Sequence, residues 1–219
     1  MASNGRGHLF LSPRLSQPNL HIDPSAQILA SCSYDDTIKL YVDDPSDDWF
    51  CFSTLEGHAS TVWSIAWSPK GNYLASASDD KTVRIWKRIA EHKWACVLVL
   101  PGHERSVYSV SWSEGNGKQG EDSLGWLAST SGDGSVRIWE LSVSIFQSVF
   151  AHNLTPSFKE SKSEDPLSSP NHRLIGHLKS AHSVYDVNSV VWCPRKGFED
   201  ILATSGDDGS IRVWRVLDA

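Results

Sequence analysis

Four stretches of this chain align with one another without a gap: ILASCSYDDTIKLY (28–41), YLASASDDKTVRIW (73–86), WLASTSGDGSVRIW (126–139) and ILATSGDDGSIRVW (201–214). Their second residues, Leu29, Leu74, Leu127 and Leu202, stand 45, 53 and 75 residues apart. Self-similarity at such a period restricts the chain to repeat architectures, in which one supersecondary unit recurs and buries its apolar face against the next. Insertions at 114–125 and at about 153–171 account for the longer steps. The second of these is rich in Ser, Pro, Lys and Glu and reads as a surface excursion.

Each unit reads as β-structure. The runs Leu74–Ser78 and Thr82–Trp86 flank an Asp-rich turn as the arms of a hairpin do. VWSIAW (62–67) alternates bulky with small residues and ends in a Ser-Pro-x-Gly turn, whose Pro69 and Gly71 suit a tight reversal. A further run, WFCFSTL (49–55) and again WACVLVL (94–100), precedes a Gly-His pair. No stretch with helical periodicity interrupts these runs. Four short antiparallel strands in one repeat predict a β-propeller blade, and the fold class is all-β with about four blades. The repeats span 20–216, preceded by a leader over 1–19 and followed by a short C-terminal end over 217–219.

Charge and cysteine usage narrow the function. The formal net charge of −6 argues against nucleic acid as a partner, which a basic face would serve better. No apolar run approaches the roughly 20 residues of a membrane-spanning helix, so no membrane partner is expected. Cys32, Cys51, Cys96 and Cys193 form no close pair, which disfavours a disulfide framework or a zinc site and favours a reducing compartment. Ten Trp against one Met mark a recurring structural position.

Polar residues recur in fixed register as well. His58, Ser76, Asp80 and Trp86 return as His103, Ser129, Asp133 and Trp139, and again as His182, Thr204, Asp208 and Trp214. An Asp accepting from the imidazole, an imidazole bonded to the hydroxyl and a hydroxyl accepting from the indole would satisfy every buried donor. The same residue types build a catalytic triad. Three occurrences tied to strand register favour the structural role, and no Gly-x-Ser-x-Gly turn is present, so no catalytic residue and no enzymatic activity are assigned. Cys51 and Cys96 fall on equivalent strands of successive units. A thiolate cluster needs about four convergent cysteines, so they read as small apolar residues and no metal or other cofactor is expected. His92, His172 and His177 are placed in turns or in the insertion, and the acidic pairs around Pro45 in a solvated loop. Asn153 matches a glycosylation acceptor that a cytosolic protein would not use.

These residues resemble the WD40 family, with its Gly-His near the start of a repeat and Trp near the end. Lys87, Glu140 and Arg215 stand where the family's final Asp is common, Tyr41 replaces Trp in the first unit, and that unit has no Gly-His. Within the family, Trp49-Phe50-Cys51 and Trp94-Ala95-Cys96 each precede a His, the Cys by seven residues. With SYDDTIKLY (33–41), TLEGHASTVWSIAWSPKGNYLASASDDKTVRIW (54–86) and AHSVYDVNSVVWCP (181–194), they resemble the WD40 proteins of cytosolic iron–sulfur protein assembly. That resemblance implies a seven-bladed scaffold in the complex that delivers clusters to cytosolic and nuclear apoproteins. The partners it implies are a HEAT-repeat adaptor, a DUF59-type protein and a hydrogenase-like cluster carrier, in the cytoplasm and also the nucleus. The alternative is an adaptor of another assembly, of chromatin or ubiquitin-ligase type. The match covers the last four blades, which implies an open arc with uncovered faces at both ends. In WD40 folds the register of Trp63, Tyr108 and Asn188 lies near the channel rim. With Tyr34 these are the candidate partner-binding residues, since Trp and Tyr anchor interfaces well.

Overall fold

The computed structural model describes residues 20–22, 28–44, 48–116, 122–143 and 168–217. Among them are strands and turns and no helix. The first sheet orders β1 (Leu20–Ile22), β2 (Ile28–Cys32), β3 (Ile38–Asp44) and β4 (Asp48–Leu55) side by side. The second holds β5 (Val62–Trp67), β6 (Tyr73–Ser78), β7 (Val83–Ala90) and β8 (Lys93–Leu100). The third holds β9 (Val107–Ser113), β10 (Ser123–Ser131), β11 (Val136–Ser142) and β12 (Asn171–Leu178). The last orders β13 (Val187–Trp192), β14 (Ile201–Gly206) and β15 (Ile211–Arg215), three strands among the described residues. All neighbours are antiparallel, and equivalent registers recur: Leu29 faces Tyr41, Leu74 faces Trp86, Leu127 faces Trp139 and Leu202 faces Trp214.

Where a fourth strand is described, it is the run that precedes the next His-bearing loop. The sequence repeat therefore straddles two sheets. In the third sheet this strand is Asn171–Leu178, which comes out of the second insertion and contains a further Gly-His pair, Gly176-His177. His172 and His177, read from sequence as turn or insertion residues, are strand residues there and exposed, because β12 continues the ladder along β11. The first insertion also ends earlier than expected. Ser123 to Gly125 already pair with β11, through a register irregularity. His92 does lie in the turn between β7 and β8. The leader, Asp47 and Asn153 fall outside the described residues.

The sheets stack face to face, and the repeat supplies both halves of each junction. Ile38 and Leu40 of β3 bury against Val62, Ile65 and Trp67 of the second sheet. Val83 and Ile85 of β7 meet Val107 and Val110 of the third. Val136 and Ile138 of β11 meet Val187 and Val190 of the last. Small residues such as Ala75 and Ala77 on fully buried β6 let neighbouring sheets approach closely. The innermost strands are joined by a recurring hydrogen bond. Ser64 Oγ accepts the Val110 N–H at 3.2 Å, Ser109 Oγ the Val190 N–H at 3.3 Å, and Ser111 Oγ the Trp192 N–H at 3.2 Å. Together β1, β5, β9 and β13 line an open channel of about 370 Å³.

The hairpin turns between the second and third strands of each sheet share one backbone. Asp36, Lys81, Gly134 and Gly209 occupy the same position, with φ of 67°, 69°, 76° and 70°. That left-handed conformation suits glycine and strains Asp36 and Lys81. The preceding Asp holds the turn in all four, accepting the N–H of Thr37, Thr82, Ser135 or Ser210 at 2.9–3.1 Å.

Candidate functional site

Three of these turns hold the Asp–His–hydroxyl chain, and in two of them the indole N–H extends it. His58 Nδ1 lies 2.8 Å from Asp80 Oδ2 and its Nε2 lies 2.7 Å from Ser76 Oγ, which accepts the Trp86 indole N–H at 2.9 Å. His103 bridges Asp133 and Ser129 at 3.0 and 2.6 Å. His182 bridges Asp208 and Thr204, both at 2.8 Å, and Trp214 donates to Thr204 at 2.9 Å. The connectivity is that of a catalytic triad, but Ser76 and Ser129 are fully buried and Thr204 is 1% exposed. No substrate carbonyl reaches such a hydroxyl, and where the indole N–H is bonded it occupies a lone pair that attack would use.

The charge state follows from these contacts. Burial opposes ionisation of Asp80, but hydrogen bonds from Thr82 and His58, with the charge of His58, outweigh it and bring the carboxyl down to about 2. Asp133 is held well below the usual carboxylate range, its burial overcome by His103 and Ser135. Asp208 is lowered by His182 and Ser210. Burial lowers the imidazole of His58, only partly countered by Asp80. In the first sheet Asp35 keeps the turn bonds to Thr37, while Tyr41 stands at the indole position.

The surface beside these turns is aromatic. Tyr34 is 80% exposed and Trp63 is 38% exposed. Tyr34 meets Trp63 edge-on with ring centroids 6.1 Å apart, and Trp63 meets Tyr108 at 6.3 Å, so one ladder of rings crosses three sheets. The Tyr108 hydroxyl donates to Asp186 at 3.2 Å, and burial and the Asp186 charge both raise its pKa. Gly132 makes room for this contact, because a Cβ there would lie 3.0 Å from Asp186 and 3.1 Å from the Tyr108 hydroxyl. Asn188 does not join the ladder; it donates to Asp207 at 2.6 Å. Around the rings, Ser106 bonds Asp79, and Arg105 lies 3.7 Å from Asp186. Asp79 and Asp186 escaped the sequence reading. Their only signal is proximity to Asp80 and to the rim residue Asn188, whereas the Tyr108–Asp186 contact depends on packing across 78 residues of chain.

The cysteines are dispersed. Cys51 and Cys96 donate to the carbonyls of Ser53 and Leu98, both at 3.7 Å, on β4 and β8. Among the described residues no three His, Cys, Asp or Glu side chains gather as a metal site requires, and no helix is long and apolar enough to cross a membrane.

The chain is 32% identical over 215 residues to the probable cytosolic iron-sulfur protein assembly protein 1 of Chaetomium globosum, covering 88% of this chain and 46% of that protein. It is 31% identical over 234 residues to the Pyricularia oryzae protein of the same name, covering 89% and 51%. To the probable cytosolic iron-sulfur protein assembly protein Ciao1 of Aedes aegypti it is 39% identical over 185 residues, covering 82% and 48%. The chain thus spans about half the length of these relatives. The family model described as WD domain, G-beta repeat matches residues 19–41, 49–87, 94–140 and 168–215, each stretch beginning or ending within a strand of the four sheets or beside one, and the chain belongs to that family.

Proposed function

We propose that this chain is a non-enzymatic protein-interaction scaffold of cytosolic iron–sulfur protein assembly. In this reading it docks a partner on the rim formed by Tyr34, Trp63 and Tyr108. The observation that carries the reading is the aromatic ladder itself: three rings from three sheets, two of them open to solvent, on the face where the His-bearing loops converge. Exposed Trp and Tyr in a pre-ordered row lose little entropy when a partner covers them. The iron–sulfur assignment rests on the names of the relatives, and the partners it brings are a HEAT-repeat adaptor, a DUF59-type protein and a hydrogenase-like cluster carrier. The cluster is cargo of the assembly and has no ligands on this chain; the cytoplasm is its compartment, with the nucleus as a second one.

Affinity capture of the tagged chain from cell extract tests the reading. The HEAT-repeat adaptor is expected to co-purify, and Trp63→Ala with Tyr108→Ala is expected to release it while the melting temperature stays within a few degrees. Capture of chromatin or ubiquitin-ligase subunits instead assigns the chain to another assembly. Anaerobic reconstitution with iron and sulfide is expected to give no stoichiometric charge-transfer band. A band lost on Cys51→Ser or Cys96→Ser overturns the scaffold-only role.

A further inference from the structure

The repeats agree where they fold and differ along the rim. The residue before the turn Asp is Tyr34, Asp79, Gly132 and Asp207 in the four sheets. Asp79 falls beside the aromatic ladder, where its carboxylate accepts from Ser106, two residues before Tyr108, and from Ser60 at 3.3 Å. It is exposed, and among the described residues hydroxyls rather than cations meet it. From the last sheet, Asp186 accepts the Tyr108 hydroxyl with one oxygen and turns the other toward Arg105. Burial, Asp186 and, more weakly, Asp79 all raise the Tyr108 pKa, so both carboxylates act on this one ring. Arg105 shows what such a place takes. Its guanidinium donates to the Gly132 carbonyl at 3.0 Å and lies 3.7 Å from Asp186, beyond hydrogen-bond length, with 69% of the side chain exposed. A contact that open exchanges readily for another guanidinium.

We propose that the partner presents an arginine to this rim, its guanidinium lying on the rings of Trp63 and Tyr108 with N–H groups directed to Asp79 and Asp186. The inference rests on the docking role proposed above and names the chemistry of the occupant. The faces of Trp and Tyr attract cations, Trp most strongly. A guanidinium is always charged, weakly hydrated and planar, so it stacks on a ring while its in-plane donors reach carboxylates to either side. An ammonium is a compact, strongly hydrated charge and does not combine the two contacts. Val184 and Tyr185, the residues before Asp186, are 91% and 49% exposed and offer apolar surface to the aliphatic stem. The formal net charge of −6 draws a basic segment toward the molecule from a distance.

Titration of the full 219-residue chain with the end-blocked peptide Gly-Arg-Gly-Arg-Gly tests this, followed by NMR at the Trp63 indole N–H. Saturable shifts are expected there. The citrulline and glutamate counterparts of the peptide should bind about tenfold more weakly or worse, and affinity should fall as salt rises. Asp79→Asn and Asp186→Asn should each weaken the arginine peptide severalfold. Asparagine keeps an acceptor for Ser106 and for the Tyr108 hydroxyl, and an unchanged melting temperature checks that the rim is intact. Arg105→Gln should tighten binding severalfold, a gain that damage to the fold does not produce. Citrulline binding as well as arginine, a preference for glutamate, shifts confined to other indoles, or indifference to all three substitutions overturns the proposal. The docking role is read separately, by capture from extract. If Trp63→Ala with Tyr108→Ala releases the captured partner while Asp79→Asn with Asp186→Asn retains it, the arginine falls and the docking role stands. If the peptide binds as expected while capture ignores the aromatic substitutions, the guanidinium site stands and the docking role falls.

Discussion

Asp80 sets the behaviour of its turn at the scale of a single residue. Its carboxylate accepts from His58, from the Ala59 and Thr82 backbone and from the Thr82 hydroxyl, so removing it strands several donors at once. Asp80→Ala is expected to cost about 1–3 kcal/mol in urea denaturation, with partner capture by the refolded variant unchanged. A loss of capture at wild-type stability would make Asp80 a contact residue instead. The same group predicts an acid limb. Its folded pKa of about 2 lies below the unfolded value near 3.8, so its stabilisation is full above pH 4 and is lost as the pH falls toward 2. His58 is depressed as well, so the unfolded chain takes up its proton first, and stability begins to fall as the pH drops below about 6.5. A stability–pH curve should therefore descend in two stages, and Asp80→Asn should flatten the lower one. A lower stage of wild-type slope in that variant rules the assignment out.

At the scale of an element, the four equivalent turns act as controls for one another. Lys81 and Asp36 hold the left-handed position that Gly134 and Gly209 fill elsewhere, and Lys81 is exposed. Lys81→Gly should therefore stabilise the second sheet by up to ~1 kcal/mol, read as a raised denaturation midpoint. A lowered midpoint would mean that the Lys81 side chain contributes more than its strained backbone costs. The strands and these turns were legible in the sequence because each is a local pattern: alternation in VWSIAW, Asp six residues before Trp, Gly beside Asp. What was not legible depends on which sheets become neighbours. Ser64, Ser109 and Ser111 look like small residues between bulky ones, and only stacking turns them into acceptors for another sheet. Asp186 was hidden in the same way, because its partner Tyr108 comes from a different sheet. β12 was missed since its Arg-Leu-Ile run follows an insertion and lacks the Trp-x-Cys that marks β4 and β8.

For the whole molecule, sheets that contact mainly their neighbours make stability a sum of sheet and junction terms. Val110 lies in the junction between the second and third sheets and is 5% exposed. Val110→Ala should cost about 2 kcal/mol, and amide exchange should accelerate in β5–β12 more than in β1–β4. Uniform acceleration would show instead that the four sheets open as one unit. The offset between sequence repeat and sheet has its own consequence for how such chains change length. β4 and β8 pair with β3 and β7 in the same register, Tyr41 opposite Cys51 and Trp86 opposite Cys96. Excising residues 49–93 would splice β8 onto β3 in place of β4 and leave no sheet with an orphaned strand. Ile38 and Leu40 would then face Val107 and Val110 instead of Val62 and Ile65, apolar against apolar as before. Recombination between the similar stretches around Trp49 and Trp94 can thus delete or duplicate a whole blade in one event while every hydrogen-bonded ladder survives, so blade number in such a lineage can drift by whole units without passing through a broken protein.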